Sequence, residues 1–166
     1  RRDSTAMKFT ISREQFLQPL QLVSGAVERR HTLPILSNVL IKVSEDALWL
    51  TGTDLEVELI SSTQLEGDFA EGEITVPAKK LFDICRSLLP DTKIEFTVDK
   101  SKVVIKCGRS KYTLSSLPAD DYPNLEDVLS DLVDEKFDYG IAWLDCAATK
   151  KRPVWGVFYA AIVLSA

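Results

Sequence analysis

The sequence is poor in the side chains from which metal sites, disulfide frameworks and nucleophilic triads are built. Among its 166 residues it has one histidine, His31, and three cysteines, Cys85, Cys107 and Cys146. A single histidine argues against a histidine-based metal site and against a Ser-His-Asp triad. An odd number of cysteines without a CxxC pair argues against a disulfide framework and favours reduced thiols in the cytoplasm. We therefore expect neither a metal nor another cofactor.

Long apolar segments and phosphate-binding loops are also missing. The longest apolar run, VWGVFYAAIVLSA at residues 154–166, falls short of the roughly 20 residues that a membrane-spanning helix needs. No GxxxxGK[ST] motif occurs. Residues 1–6 have no apolar segment behind their arginines, so we interpret them as an upstream extension or a cloning remnant, not as an export signal. We expect a cytoplasmic protein with no membrane partner.

The chain does have the composition of a globular domain, with 45% hydrophobic and 27% charged residues. Helical periodicity begins after Ser12, where Phe16, Leu20 and Val23 share one face, and returns at residues 77–89. About seven or eight strand-like runs surround these two segments. The pattern predicts an α+β fold in which both helices pack on one face of antiparallel sheet.

Charge is distributed unevenly along a chain of net charge −5. Residues 37–75 are strongly acidic, whereas residues 76–90 and 91–112 are net positive. This distribution predicts a polyanionic partner that approaches from the helical side through weak, non-specific contacts. Arg29 and Arg30 stand together with His31 in a turn before TLPIL, where the pattern alone also fits an ordinary charged surface loop.

Two further segments each allow two interpretations. TDLEVEL places Asp54, Glu56 and Glu58 at alternate positions, so that on a strand they would share one face. That face is either solvated or the site of a carboxylate-dependent, metal-assisted hydrolase, and the lack of a neighbouring histidine or glycine-rich loop favours the first. The basic segment CGRSKYTLSSLP is either a charged strand protected from aggregation or an edge strand that docks another sheet.

Five motifs in fixed order connect the chain with a known family. They are TLPIL, TGTDLE, VPAKK, DICR and GRSKYTLSSLPA. From Met7 to about Asp127 the sequence closely resembles the first domain of the bacterial sliding clamp, the beta subunit of DNA polymerase III. The resemblance implies a DNA-clamp fold, with antiparallel sheets on the outside of a ring and two helices on its inner face. It also implies a non-catalytic processivity factor that encircles double-stranded DNA and slides on it.

The resemblance further implies roles for particular residues. Arg30 would contact duplex DNA, and secondary DNA contacts would come from Arg29, Arg13, Lys79 and Arg86. The GRSKYTL strand would pair with the third domain of another clamp subunit in a head-to-tail dimer. The residues implied at that dimer interface are Lys80, Lys102, Arg109, Lys111, Tyr112 and Leu114.

Domain boundaries follow from the same comparison. Residues 7–128 are expected to form the clamp domain, and residues 129–166 a divergent tail. The tail contains the segment EKFDYGIAWLDCAAT, which resembles MKFTISREQFLQPLQ at the start of the clamp domain. We therefore interpret the tail as the truncated start of a second clamp repeat, with a strand and then a helix. Polymerase and clamp loader would bind only through domains absent here. We expect no closed ring, an exposed Tyr112 and Leu114, and weaker self-association when residues 129–166 are removed.

Overall fold

The computed structural model describes residues 7–27, 33–55, 57–123, 139–145 and 157–164. These residues form two α-helices, ten strands and two short 3-10 helices. Neither helix combines the length and the hydrophobicity that crossing a lipid bilayer requires. In chain order the elements are β1 (Lys8–Ser12), α1 (Arg13–Ser24), β2 (Asn38–Ser44), β3 (Ala47–Thr53), β4 (Val57–Gln64), β5 (Gly72–Pro77), α2 (Ala78–Ser87), β6 (Lys93–Asp99), β7 (Lys102–Cys107), β8 (Ser110–Ser115), β9 (Tyr139–Asp145) and β10 (Val157–Leu164).

The strands form two antiparallel sheets. One has four strands in the order β1-β6-β7-β8, and the other has six in the order β5-β2-β3-β4-β10-β9. Two isolated bridges connect each sheet with a residue that flanks a strand of the other: Lys8 of β1 with Ala70 before β5, and Thr75 of β5 with Leu117 after β8. The predicted α+β fold with hairpin-connected strands and two helices is confirmed.

Helix α1 begins where the sequence predicts. Ser12 has extended backbone geometry and its side-chain oxygen accepts a hydrogen bond from the Gln15 N–H, which satisfies one of the free donors of the first turn. Phe16, Leu20 and Val23 are fully buried on its inner face. The helix runs through Pro19, which is also buried. Its apolar stripe therefore faces the protein core, as the periodicity predicted.

Helix α2 follows β5 without a loop, since Pro77 ends the strand and precedes the first helical residue. It buries Ala78, Leu81 and Cys85 and exposes its charged side chains. The two helices pack against each other, and α1 also covers β3 and β4. The first residue of α1 contacts the last turn of α2, so the two helices run antiparallel.

An aromatic cluster ties the helix layer to the four-stranded sheet. The rings of Phe9 on β1 and Phe96 on β6 stack with centroids 4.8 Å apart. Phe16 of α1 meets both rings edge-on, at 5.9 Å from Phe9 and 6.4 Å from Phe96. Such pairs add about 0.5–1.5 kcal/mol each beyond the burial of their area. These ring contacts pack α1 against the four-stranded sheet.

The structure differs from the sequence-based expectation in the segment after TLPIL. The run ILSNVLIKV has the aliphatic composition of a strand from its start, but Pro34–Ser37 form a 3-10 turn and β2 begins only at Asn38. Proline fixes its backbone in a turn geometry and lacks the N–H that a strand ladder needs. The proline therefore overrides the strand propensity of Ile35 and Leu36 in this turn.

The tail adds two strands to the six-stranded sheet. Strand β10 pairs antiparallel with β4, from Val157 opposite Ser61 to Ala161 opposite Val57, and β9 pairs with β10. The echo of the first repeat placed the start of a helix where the structure has β9. The apolar C-terminal run therefore meets the domain through backbone pairing along the β4 edge.

Candidate nucleic-acid interface

A groove of about 580 Å³ runs between the two helices. It brings together Gln21 and Ser24 of α1 with Lys79, Phe82 and Arg86 of α2. Lys79 and Arg86, both predicted DNA contacts, are exposed there. The groove also contains the acid Asp83, so its net charge is only slightly positive. Sparse cations beside uncharged glutamine offer anions weak contacts that salt screens readily.

Arg30, the predicted principal DNA contact, lies outside the described residues, as do its neighbours Arg29 and His31. The described chain ends before them at Val27, which lines the interhelical groove, and resumes at Leu33. Ser37, in the turn that follows, lines the same groove. The described residues Val27 and Ser37, on either side of the gap, therefore both lie at the groove.

Arg13 is placed differently from Lys79 and Arg86. Its Nε donates to the Cys85 carbonyl at 3.1 Å and a terminal nitrogen donates to the Arg86 carbonyl at 3.5 Å. Its other terminal nitrogen pairs with Glu14 at 3.1 Å, and the side chain is only 19% exposed. Carbonyls at a helix C-terminus lack intrahelical donors and carry partial negative charge. The structure therefore gives Arg13 the role of capping α2.

Glu14 completes this junction between the helices. Its carboxylate accepts a hydrogen bond from the Asp91 N–H at 3.2 Å, in the turn after α2. The pKa of this carboxyl is lowered, chiefly by the hydrogen bond from its own backbone N–H and then by that of Asp91. The start of α1 and the end of α2 are locked together by charge-assisted bonds.

Strand β8 lies at one end of the four-stranded sheet, and the residues around it are only partly as expected. Arg109 and Lys111 are exposed, and Lys111 stands directly opposite Lys106 of β7. Leu114, however, is only 8% exposed and belongs to the core, and Tyr112 is half-buried against it. The expectation of an exposed Leu114 is wrong, because alternation turns residues 112 and 114 to the inner face while charged neighbours face water.

The three carboxylates of TDLEVEL do not share a strand face as expected. Strand β4 begins only at Val57, and Asp54 lies in the preceding turn, where Leu55 has φ of 74°. The Asp54 side chain accepts the Val57 N–H at 2.7 Å, while Glu56 lies outside the described residues. Across the described part of the chain no three His, Cys, Asp or Glu side chains are grouped to hold a metal ion.

The described cysteines are unpaired and buried. Burial raises the pKa of the Cys85 thiol to about 12, and burial also raises the pKa of Cys107. Because the thiolate is the nucleophilic form, neither thiol is activated for catalysis at neutral pH. Cys146 lies outside the described residues.

Sequence reasoning missed a buried polar network that holds the segment after β8. Asn38 donates to the Thr75 hydroxyl at 3.1 Å, and that hydroxyl donates to the Leu117 carbonyl at 2.9 Å. Tyr122 donates to the Thr51 carbonyl at 3.1 Å, and burial raises the pKa of its phenol. The SSLPADDYP segment has no periodic apolar pattern, so the sequence carries no signal for this network.

Comparisons with known proteins agree on one family. The model of the DNA polymerase III beta subunit, N-terminal domain, matches residues 7–126. The beta sliding clamp of Pseudomonas putida is 60% identical over 121 residues, which is 73% of this chain and 33% of that protein. The beta sliding clamp of Vibrio harveyi is 52% identical over 126 residues, covering 76% of this chain and 87% of that sequence.

Solved structures show the same relationship. A crystal structure of the sliding clamp from Pseudomonas aeruginosa, DNA polymerase III subunit beta, superposes with a TM-score of 0.72 at 57% identity. The match covers 74% of this chain and 33% of that one. Two antiparallel sheets with two helices on one side thus define a clamp-type domain. The chain belongs to the family of the DNA polymerase III beta subunit, N-terminal domain. It spans about a third of the length of the first Pseudomonas relatives.

Proposed function

We propose that this chain supplies the N-terminal domain of a DNA sliding clamp, the processivity factor of a replicative DNA polymerase. The observation that carries the proposal is the match of residues 7–126 to the beta-subunit family. The role is non-catalytic: the domain contributes part of a ring that encircles duplex DNA and slides on it. Its residue boundaries are 7–128, with residues 129–166 as a divergent tail, and the working compartment is the cytoplasm.

The chemistry of the interhelical groove suits a protein that holds DNA without reading its sequence. Sliding requires phosphate contacts that are few, screened and easily exchanged, since base-edge hydrogen bonds would pin the protein to one site. Lys79 and Arg86 supply two such contacts, and Gln21 adds a neutral polar one. Arg30, with Arg29, adds the principal contact to duplex DNA. Arg13, whose side chain bonds to the last carbonyls of α2, contributes indirectly, by fixing the position of that helix.

A second clamp subunit is the proposed protein partner. Strand β8 ends its sheet and can extend it by pairing with a strand of that subunit. Lys80, Lys102, Arg109 and Lys111 are exposed and positive, and would meet acidic residues across the joint. Tyr112 contributes its exposed edge, and Leu114 supports it from the core. Polymerase and clamp loader would bind through further domains of a full-length subunit.

Replacement of Arg30 by alanine tests the proposed DNA contact. Binding of the 166-residue chain to a fluorescent duplex is measured by anisotropy at several salt concentrations, beginning at low salt. Arg30→Ala should reduce the slope of log affinity against log salt by roughly one unit, as expected for one lost phosphate contact. The control is Lys42→Ala, which removes an equal charge from the exposed face of β2. Equal slopes for the two variants would contradict the proposal.

A further inference from the structure

The described part of the clamp domain, between residues 7 and 123, leaves two strand edges without a partner strand from the domain itself. The edge of β1 is joined to the segment before β5, because Lys8 and Ala70 exchange backbone hydrogen bonds of 3.2 and 2.8 Å. The edge of β5 is joined to the segment after β8 in the same way, by two bonds of 3.1 Å between Thr75 and Leu117. Within this part of the chain the two sheets therefore end at β8 and β4. The N–H and C=O groups of such edges are templates for a further strand.

The tail of the same chain fills the β4 edge. The Asp54 N–H donates to the Val57 carbonyl at 3.2 Å, so the backbone of Val57 faces β3. Because the direction of hydrogen bonding alternates along an antiparallel strand, the N–H and C=O groups of Glu58 face the opposite edge. Glu58 stands directly opposite Ala160 of β10. Strand β10 thus occupies the hydrogen-bonding positions that a strand of another molecule would use.

The open edge of β8 matches the β4 edge on both faces of the sheet. On the inner face, Tyr112 and Leu114 of β8 belong to the core or pack against it, and so does Leu59 of β4. Alternation places Lys111 of β8 and Glu58 of β4 on the outer face. Pairing of β8 with β4 of a second copy brings apolar side chains together inside and opposite charges together outside, and both combinations stabilise a sheet. Pairing of β8 with β8 would bring its basic side chains together instead.

We propose that β10 is a cap on an assembly surface, and that it competes with β8 of a second copy for the β4 edge. The proposal rests on the proposed function, since it uses the docking role given there to β8. It adds a complementary surface at β4 and gives the tail the role of blocking it. The tether favours β10, because an intramolecular strand meets the edge at a higher effective concentration than a second copy does.

The two surfaces differ, so contacts between uncapped copies are head-to-tail. Each added copy leaves one β8 edge and one β4 edge open at the ends of the assembly. An uncapped chain therefore forms a series of oligomers that grows with concentration, whereas the capped chain stays monomeric.

A proline in β10 opens the edge in the full 166-residue chain. Ala160→Pro removes the N–H that faces Glu58, which a strand ladder needs. The matched control is Val163→Pro, which lies beyond the β4 ladder and interrupts the pairing with β9 opposite Gly140. In sedimentation velocity without DNA, Ala160→Pro should form concentration-dependent oligomers, while the parent chain and Val163→Pro sediment as monomers. Equal oligomer formation in the parent or in the control refutes the proposal.

Hydrogen exchange reports whether the cap has been released. The amides of residues 57–61 should exchange faster in Ala160→Pro than in the parent chain. If one proline leaves their exchange unchanged, Phe158→Pro is added, because Phe158 lies two residues before Ala160 and faces the same edge. Faster exchange in a chain that stays monomeric refutes the proposal, since the open edge then recruits no second copy.

A proline in β8 tests which strand enters the open edge. Cys107 and Ser110 close the hairpin between β7 and β8, so the N–H of Thr113 faces the open edge and Thr113→Pro keeps the β7 ladder. Added to Ala160→Pro, Thr113→Pro should abolish self-association. The double variant should then form a one-to-one complex with the parent chain, whose β8 is open. Oligomers that persist with β8 blocked refute the proposal, because another surface makes them.

These measurements contain no DNA, so they are independent of the proposed DNA contact. Loss of the expected pairing, together with a reduced salt slope in Arg30→Ala, refutes the cap and leaves the proposed function standing. Pairing as expected, together with equal salt slopes for Arg30→Ala and Lys42→Ala, refutes the proposed DNA contact alone.

Discussion

Arg13→Ala separates a structural arginine from the DNA-contacting arginines proposed for the same helical face. In the folded chain its guanidinium bonds to the carbonyls of Cys85 and Arg86 and to the Glu14 carboxylate. Alanine removes all three bonds and leaves the last carbonyls of α2 without a side-chain donor from α1. We therefore expect a loss of stability and no loss of a DNA contact.

The magnitude follows from the number and quality of these bonds. Hydrogen bonds with a charged partner contribute roughly 1.5–3 kcal/mol each when well formed and buried. The bond to Arg86 is long at 3.5 Å, and the Arg13 side chain keeps 19% exposure, so screening reduces the total. We expect the free energy of unfolding to fall by about 1–2 kcal/mol, which lowers the melting temperature by about 4–8 °C.

The assay pairs thermal unfolding followed by circular dichroism with the salt dependence of duplex binding. The control is Arg86→Ala, which removes an exposed charge of the groove and should lower the salt slope with little change in melting temperature. Arg13→Ala should show the opposite pattern. The reasoning is refuted if Arg13→Ala leaves the melting temperature unchanged and lowers the slope as Arg86→Ala does.

The remaining predictions concern the core, the thiols, acid stability and the tail. Leu114→Ala should lower the free energy of unfolding by about 2–4 kcal/mol in urea titrations, since it leaves a core cavity, whereas Lys111→Ala should change it little. In a variant whose only cysteine is Cys85, the thiol should react with a disulfide reagent only on unfolding, because burial in the folded chain raises its pKa to about 12. Because the pKa of Glu14 is lowered in the folded chain, its carboxylate contributes stability that is fully present above the ordinary pKa of 4.5 and is lost as the pH falls through the lowered pKa. Glu14→Gln lacks this contribution, so its melting temperature should fall less over that pH range than the melting temperature of the parent chain. The pairing of β10 with β4 reverses the sequence-based expectation for the tail: removing residues 129–166 should increase self-association in sedimentation velocity, because it frees the edge of β4.

The helices and most strands could be predicted because their signals are local. The spacing of Phe16, Leu20 and Val23 and the serine before them define α1 with no knowledge of its partner. The positions of Lys79 and Arg86 on one exposed face follow from the same period. The resemblance added the family and the expected DNA contacts, which composition and spacing alone left open.

The failures come from contacts between segments distant in sequence. Whether Leu114 faces water depends on which side of β8 the other sheet and helices cover, and the alternation alone is symmetric. The positive φ of Leu55 shifts the start of β4 and removes Asp54 from the strand, although the sequence alternates without a break. Arg13 looked like a surface cation because α2, whose end it caps, lies about seventy residues later.

The central claim, that the helical groove is the surface that binds DNA, is tested most directly by two charge-matched double variants. Lys79→Ala with Arg86→Ala removes two cations from the groove, and Lys106→Ala with Lys111→Ala removes two from the opposed pair on the four-stranded sheet. The measurement is the slope of log affinity for duplex DNA against log salt. The groove variant should lose close to two units of slope, at about 0.9 per phosphate contact, while the sheet variant keeps the slope of the parent chain. The account is contradicted if the sheet variant loses the slope and the groove variant retains it.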